Sequence, residues 1–192
     1  MQIYSSQEAK LQKKFKKLKV KFLKAPLAIL DIMKIKPNNI TIFGLFVSLV
    51  LLASGHFTAA VCTQLICDLL DGALAEKQNS YSLIGAKLDI LSDYIFVTTA
   101  AIYWWVLSNT HWALMFTYLV LVHTQNYLQI SLNKHKKETG IILRPRISIL
   151  IIQALNLSEI ISTHLAINLT LLAIATMIIQ VPGLLAKRQK TR

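Results

Sequence analysis

Acidic residues are scarce in this chain: nine Asp and Glu stand against 21 Lys and Arg among 192 residues, a formal charge of +12. Charged residues of both signs make up only 16%, and they come in bunches. A soluble domain spreads its charge over the whole surface, so this shortage argues against one. With 54% hydrophobic residues and a mean hydropathy of +0.51, the composition is that of a multi-spanning membrane protein. Cysteine is nearly absent. Cys62 and Cys67 lie five apart in one apolar segment, where two thiols read as packing residues and not as a disulfide or a metal site. No secretory signal peptide is visible, because the first 25 residues are Lys-rich and lack an apolar core. No internal repeat or low-complexity linker interrupts the chain. The positive charge could suggest nucleic acid, but the apolar bulk argues against that partner. Anionic membrane lipids, or a phosphorylated substrate, account for it better.

The basic residues also have gaps, and the gaps give a topology. Ten lysines precede Pro37, Lys77 and Lys87 flank one turn, five basic residues lie between 134 and 146, and four lie between 187 and 192. The turns near residues 55, 110 and 162 have none. Six spans with both termini inside satisfy the positive-inside rule at every turn. The sequence therefore predicts an all-α membrane protein with six transmembrane helices preceded by a basic amphipathic juxtamembrane helix. In residues 7–30, Leu11, Phe15, Leu18 and Phe22 follow a helical spacing between lysines, and Pro26 weakens that helix near its end. Pro37-Asn38-Asn39 breaks the pattern, with an Asn placed to cap the next helix. The spans are expected at about residues 40–53 (extending towards 57), 57–74, 83–107, 112–132, 147–161 and 165–185. In domain terms this gives an N-terminal cytoplasmic arm (1–36), a six-span domain (37–186) and a basic tail (187–192). Tyr103, Trp104, Trp105 and Trp112 surround one turn and read as an interfacial aromatic belt.

Five of the nine acids lie in the stretch 68–93, DLLDGALAEKQNSYSLIGAKLDILSD, four of them aspartates. A carboxylate in apolar sequence is costly and by default signals function. On helices, Asp68 and Asp71 share one face, and so do Asp89 and Asp93. Gly72, Ala73, Ala75, Gly85 and Ala86 are small enough to let the two helices approach closely. Two acidic faces opposed across a hairpin make an oxygen-rich cage for hard divalent cations. Both pairs fall in the cytoplasmic half of the proposed topology. His123 and His135 read in the sequence as satisfied or solvated histidines.

As a pattern the stretch is Asp68-x2-Asp71-Gly72-x2-Ala75-(Glu76)-x8-Gly85-x3-Asp89-x3-Asp93. It closely resembles the signature of CDP-alcohol phosphatidyltransferases. Pro37-Asn38-Asn39-Ile40-Thr41 is similar to a segment often found before that family's first span. One position departs from the signature: Glu76 stands where the family has Arg. That Arg is expected near the donor diphosphate, so Glu76 reverses a charge. Lys77 is a candidate replacement, offset by about 100° around the helix.

The resemblance implies transfer of a phosphatidyl group from a CDP-linked lipid, CDP-diacylglycerol first, to an acceptor hydroxyl, with release of CMP. It implies two divalent cations, Mg²⁺ or Mn²⁺, held by Asp68, Asp71, Asp89 and Asp93, with Asp93 as catalytic base. Physical reasoning agrees, because an anionic diphosphate cannot approach four carboxylates without cations between them. Asn38, Thr41, Gly72 and Gly85 are implied at the CDP-lipid. Arg144 and Arg146 suit a phosphate on a small polar alcohol acceptor, with glycerol-3-phosphate as the lead, or else simply mark topology. A homodimer in a bacterial inner membrane, with its site facing the cytoplasm, completes the expectation. Three rivals stand beside it: a weakly active or inactive descendant, an intramembrane prenyltransferase, and a cation transporter or channel using the buried carboxylates.

Overall fold

The computed structural model describes residues 23–80, 82–134 and 145–189, and every regular element among them is a helix. In chain order these are α1 (Lys24–Ile32), α2 (Pro37–Ala53), α3 (Phe57–Lys77), α4 (Leu83–Ser108), α5 (Trp112–Lys134), α6 (Pro145–Leu157) and α7 (Thr163–Gln189). They fall into two compact units that divide at Ala100 and Ala101, within α4. Leu11, Phe15, Leu18 and Phe22 lie outside the described residues.

The helices stop where the backbone can turn left-handed. After α2, Gly55 has φ 83°, His56 N–H donates to the Leu51 carbonyl at 2.8 Å, and Gly55 N–H donates to Leu52 at 3.0 Å. This crossed pair satisfies carbonyls that a helix end leaves open. The same closure ends α1 at Lys34 (φ 55°), α3 at Asn79 (φ 48°) and α6 at Glu159 (φ 59°). These three are not glycines, and only Asn79 is a usual occupant of this region. The starts differ from expectation at two places. No Asn caps α2; Lys36 is the N-cap and Pro37 occupies the first turn, where its missing N–H removes no helical bond. Pro26 lies in the first turn of α1, not near the end of a helix, and is tolerated there for the same reason.

In the first unit, α2 packs against α3. Gly44 permits the closest approach: a Cβ added there would run into the Cβ of Cys67 and lie 2.8 Å from its Sγ. Ser48 and Ala60 are buried in the same unit, and small residues of this kind let apolar helices approach closely. Both cysteines are free thiols. Helix α1 packs on α3 through Leu27, which is buried with Ile40, Ala73 and Leu74. Gln64 of α3 donates to the Ser92 hydroxyl of α4 at 3.3 Å.

In the second unit, α7 packs against both α5 and α6. Amides stitch these apolar helices together. Gln125 Nε2 donates to Gln180 Oε1 at 3.2 Å, and Asn156 Oδ1 accepts from Trp104 Nε1 at 3.0 Å. Trp104 is 1% exposed. It is therefore a core residue with its one donor satisfied, and it leaves the aromatic belt expected at this turn, whereas Trp112 is exposed.

Among the described residues three helices are long and apolar enough to cross a bilayer: α3, α4 from Ile84, and α7 as far as Ala186. Helices α1 and α2, bent by 106° at their break, supply a fourth if the pair counts as one broken span. Six spans were expected. Helix α6 has 13 residues, about 20 Å of rise against a hydrocarbon core of about 30 Å. Helix α5 has 23 residues, but His123, Gln125, Asn126, Gln129 and Asn133 lower its hydropathy. Large apolar side chains such as Phe43, Phe46, Leu172 and Ile179 face outwards, as a lipid-facing surface requires.

Candidate active site

Helix α3 brings Asp68 and Asp71 to one side because they are three residues apart, and α4 presents Asp89 one turn beyond Gly85. One carboxylate oxygen from each of Asp68, Asp71 and Asp89 lies within 4.8 Å of the others. Asp93, one turn further along α4, is within electrostatic reach of Asp71 but outside that group of three. Carboxylates this close repel unless a cation lies among them. An all-oxygen donor set from two helices fits a hard divalent ion such as Mg²⁺ or Mn²⁺.

Asp71 is held from a third helix. Thr41 Oγ1 of α2 donates a short hydrogen bond to Asp71 Oδ2, and both residues are buried. This carboxylate is thus anchored from a neighbouring helix. Sequence reading put Thr41 at the donor lipid and missed this contact, which spans 30 residues and has no local signal. It missed Gln64 and Ser92 as well. A Gln one turn before Asp68 in apolar sequence is the signal that could have found their bond, which ties α3 to α4 beside the acids.

A cavity of about 240 Å³ opens over the cluster. Asp71 and Asp89 line it together with Asn38, Thr41, Gly72, Ala75, Ser80, Ser82 and Gly85. Gly72 faces open space, with nothing within 4 Å of where a Cβ would be. At Gly85 a Cβ would meet Asn38 Oδ1 at 2.7 Å and Ser82 Oγ at 3.0 Å. A side chain at position 85 would push the Asn38 amide and the Ser82 hydroxyl from where they sit. Gly85 N–H donates to Ser82 Oγ at 2.9 Å, which caps the start of α4.

Glu76 is half-buried near the end of α3. Lys77 does not line the cavity. Its ammonium is held by α1, 2.9 Å from Asp31 Oδ2 and 3.2 Å from the Leu27 carbonyl. It is therefore committed elsewhere and does not replace the motif Arg in this structure. Arg144 lies outside the described residues. Arg146 opens α6 in the second unit, and its side chain lies outside them too.

The sequence profile described as CDP-alcohol phosphatidyltransferase matches residues 34–186. No curated protein matches the chain in sequence. Two crystal structures of the Mycobacterium tuberculosis phosphatidylinositol phosphate synthase share its fold. The form with CDP-DAG bound superposes with a TM-score of 0.68 at 21% identity, covering 85% of this chain and 92% of the synthase. The form with manganese and citrate gives 0.69 at 20% identity, covering 86% and 88%.

Proposed function

The chain belongs to the CDP-alcohol phosphatidyltransferase family, membrane transferases of phospholipid synthesis, and on that premise we propose that it moves a phosphatidyl group from CDP-diacylglycerol to the hydroxyl of a small polar alcohol and releases CMP. The observation that carries this reading is the group of three aspartate oxygens, drawn from two helices, beside a cavity of about 240 Å³. The related fold that holds CDP-DAG, and that also binds manganese, supports the donor and the metal.

Asp68, Asp71 and Asp89 would hold two divalent cations, Mg²⁺ or Mn²⁺, with Asp93 sharing in their binding. When bound, the cations neutralise the diphosphate and the charge developing on the leaving CMP. Thr41 orients Asp71 for that task. Asn38, Gly72 and Gly85 border the space for the nucleotide, where Gly72 leaves its backbone open to close approach. Asp93 takes the proton from the acceptor hydroxyl as the new ester bond forms to phosphorus and the bond to CMP breaks. A base must lie within hydrogen-bond reach of that proton, and one turn beyond Asp89 is such a place. Arg144 and Arg146 would receive a phosphate on the acceptor, with glycerol-3-phosphate as the lead. Six spans with both termini in the cytoplasm of a bacterial inner membrane, a homodimer, and contact with anionic lipids complete the proposal.

Acceptor-dependent CMP release by the purified protein tests it. Glycerol-3-phosphate, inositol, inositol phosphate and serine are offered in turn with CDP-diacylglycerol and Mn²⁺ or Mg²⁺. Release with one acceptor, lost by at least about a hundredfold in Asp93→Asn, is expected. No release with any acceptor, from folded protein, counts against it. Rescue by Glu76→Arg would then identify the reversed charge as the cause. The cation-pathway reading has less support, because Asp68, Asp71 and Asp89 gather in one group and do not spread along a path.

A further inference from the structure

Asp31 is an odd residue for its helix. It is the sole acid between Glu8 and Asp68, in a segment that carries Lys24, Lys34 and Lys36. A carboxylate there weakens any attraction of α1 to an anionic membrane surface, so its presence calls for another account. Its two oxygens go to two consecutive residues of another helix. Oδ2 lies 2.9 Å from Lys77 Nζ, and Oδ1 accepts from Gln78 Nε2 at 3.0 Å. Lys77 also donates to the Leu27 carbonyl at 3.2 Å, and Gln78 to the Ile35 carbonyl at 3.3 Å. Residues 27–35 thus grip the last residue and the C-cap of α3 from both sides.

That grip sits at the edge of the site. Immediately after Gln78 the chain reverses through Asn79, whose φ is 48°. Ser80 N–H then closes back onto the Ala75 carbonyl at 3.1 Å. Ser80 and Ser82 line the cavity, and Ser82 caps α4 through Gly85 N–H. The end of α3 therefore sets where the rim begins and where the Asp89 helix starts.

We propose that Asp31 is a positioning residue for the nucleotide-lipid site, acting through Lys77 and Gln78 to fix the α3 terminus and with it the Ser80 and Ser82 rim of the cavity. The inference rests on the activity proposed above. The ion pair is partly wet, with the side chains 33% and 42% exposed, and pairs of that kind have modest individual effects. The effect here comes from orientation: two oxygens committed to two neighbours define a rotation as well as a distance.

The test compares KM for CDP-diacylglycerol and kcat in the full chain for wild type, Asp31→Asn, Asp31→Lys, Lys77→Asp and the double exchange Asp31→Lys/Lys77→Asp. Thermal unfolding of each is followed in parallel. Asp31→Lys should raise KM roughly fivefold with kcat within about twofold, and the double exchange, which restores the ion pair but not the hydrogen bonds from Gln78 and to the Leu27 carbonyl, should recover part of that loss. Asp31→Asn, the milder variant, should raise KM by about twofold and keeps the test open if the reversal does not fold. An unchanged KM in Asp31→Asn and Asp31→Lys overturns the proposal. So does a double exchange no better than Asp31→Lys, or a loss confined to the active fraction that tracks the unfolding temperature. If the wild type neither releases CMP nor binds CMP in a titration, the proposed activity fails and takes this inference with it. Wild-type turnover with indifferent variants removes the inference alone.

Discussion

At the residue scale, Thr41 and Asp71 show how an acid is kept ready in an apolar helix. The hydroxyl donated to Asp71 anchors a carboxylate that belongs to the cluster. Contacts of this kind behind a metal ligand typically govern affinity by about ten- to a hundredfold. Thr41→Val should therefore raise the Mn²⁺ concentration for half-maximal CMP release by about tenfold. Thr41→Ser, which keeps the hydroxyl, should stay near wild type. A metal titration of initial rates decides this, and equal curves for the two variants would dissociate Thr41 from the cation. The gathering of Asp68, Asp71 and Asp89 was legible in the sequence because a carboxylate stands out in an apolar run and because helical spacing says which pairs share a face. Thr41 as a partner of Asp71 was not legible. No local rule links residues on different helices, and an Asn-x-x-Thr segment suggested a ligand more readily than a support.

At the element scale, two contacts between helices carry predictions. Gly44 against Cys67 leaves no space for another carbon. Gly44→Ala should lower stability by about 1–3 kcal/mol, the usual cost of overfilling a packed contact. Cys67→Gly in the same chain should return part of it, as thermal unfolding in detergent would show. The α1 grip predicts a pH dependence. Hydrogen bonds from Lys77 and then Gln78 hold the Asp31 carboxyl below its ordinary value of 3.8. A carboxyl whose folded value is depressed contributes its full stabilisation above the unfolded value and loses it as pH falls through the folded one. The difference in unfolding temperature between wild type and Asp31→Asn should accordingly be full at pH 7, begin to shrink as the pH falls to about 4 and go on shrinking below it. A difference that does not shrink between pH 7 and pH 3 would refute the assignment. Helix centres were readable from apolar runs, whereas several ends were not. Glu159 and Lys34 adopt positive φ without being glycine, so the stop signals at α6 and α1 carry no residue that marks them. Trp104 shows the same limit: its burial depends on Asn156, 52 residues away.

At the scale of the whole molecule, the charge gaps predict six crossings, while length and composition support three or four among the described residues. The question reduces to α5 and α6. In a chain freed of its own cysteines, Asn109→Cys and Ile160→Cys should label from outside intact cells with a membrane-impermeant thiol reagent. Lys137→Cys should label only after the membrane is opened. If Lys137→Cys labels from outside like the other two, α5 and α6 do not cross and the count falls. The family was legible because its signature is local in sequence. The crossing number was not, because polar residues that serve packing, such as Gln125 on α5, count against a span in any tally of hydropathy. The fit of Cys67 into the backbone of α2 has one more consequence. Its sulfur is only partly covered, and it lies against Gly44 of α2, the helix that brings Thr41 to Asp71. The thiol is thus a built-in gauge of that contact. Parting of α2 and α3 should speed its reaction with a small, lipid-soluble alkylating agent, and a bound donor that bridges them should slow it.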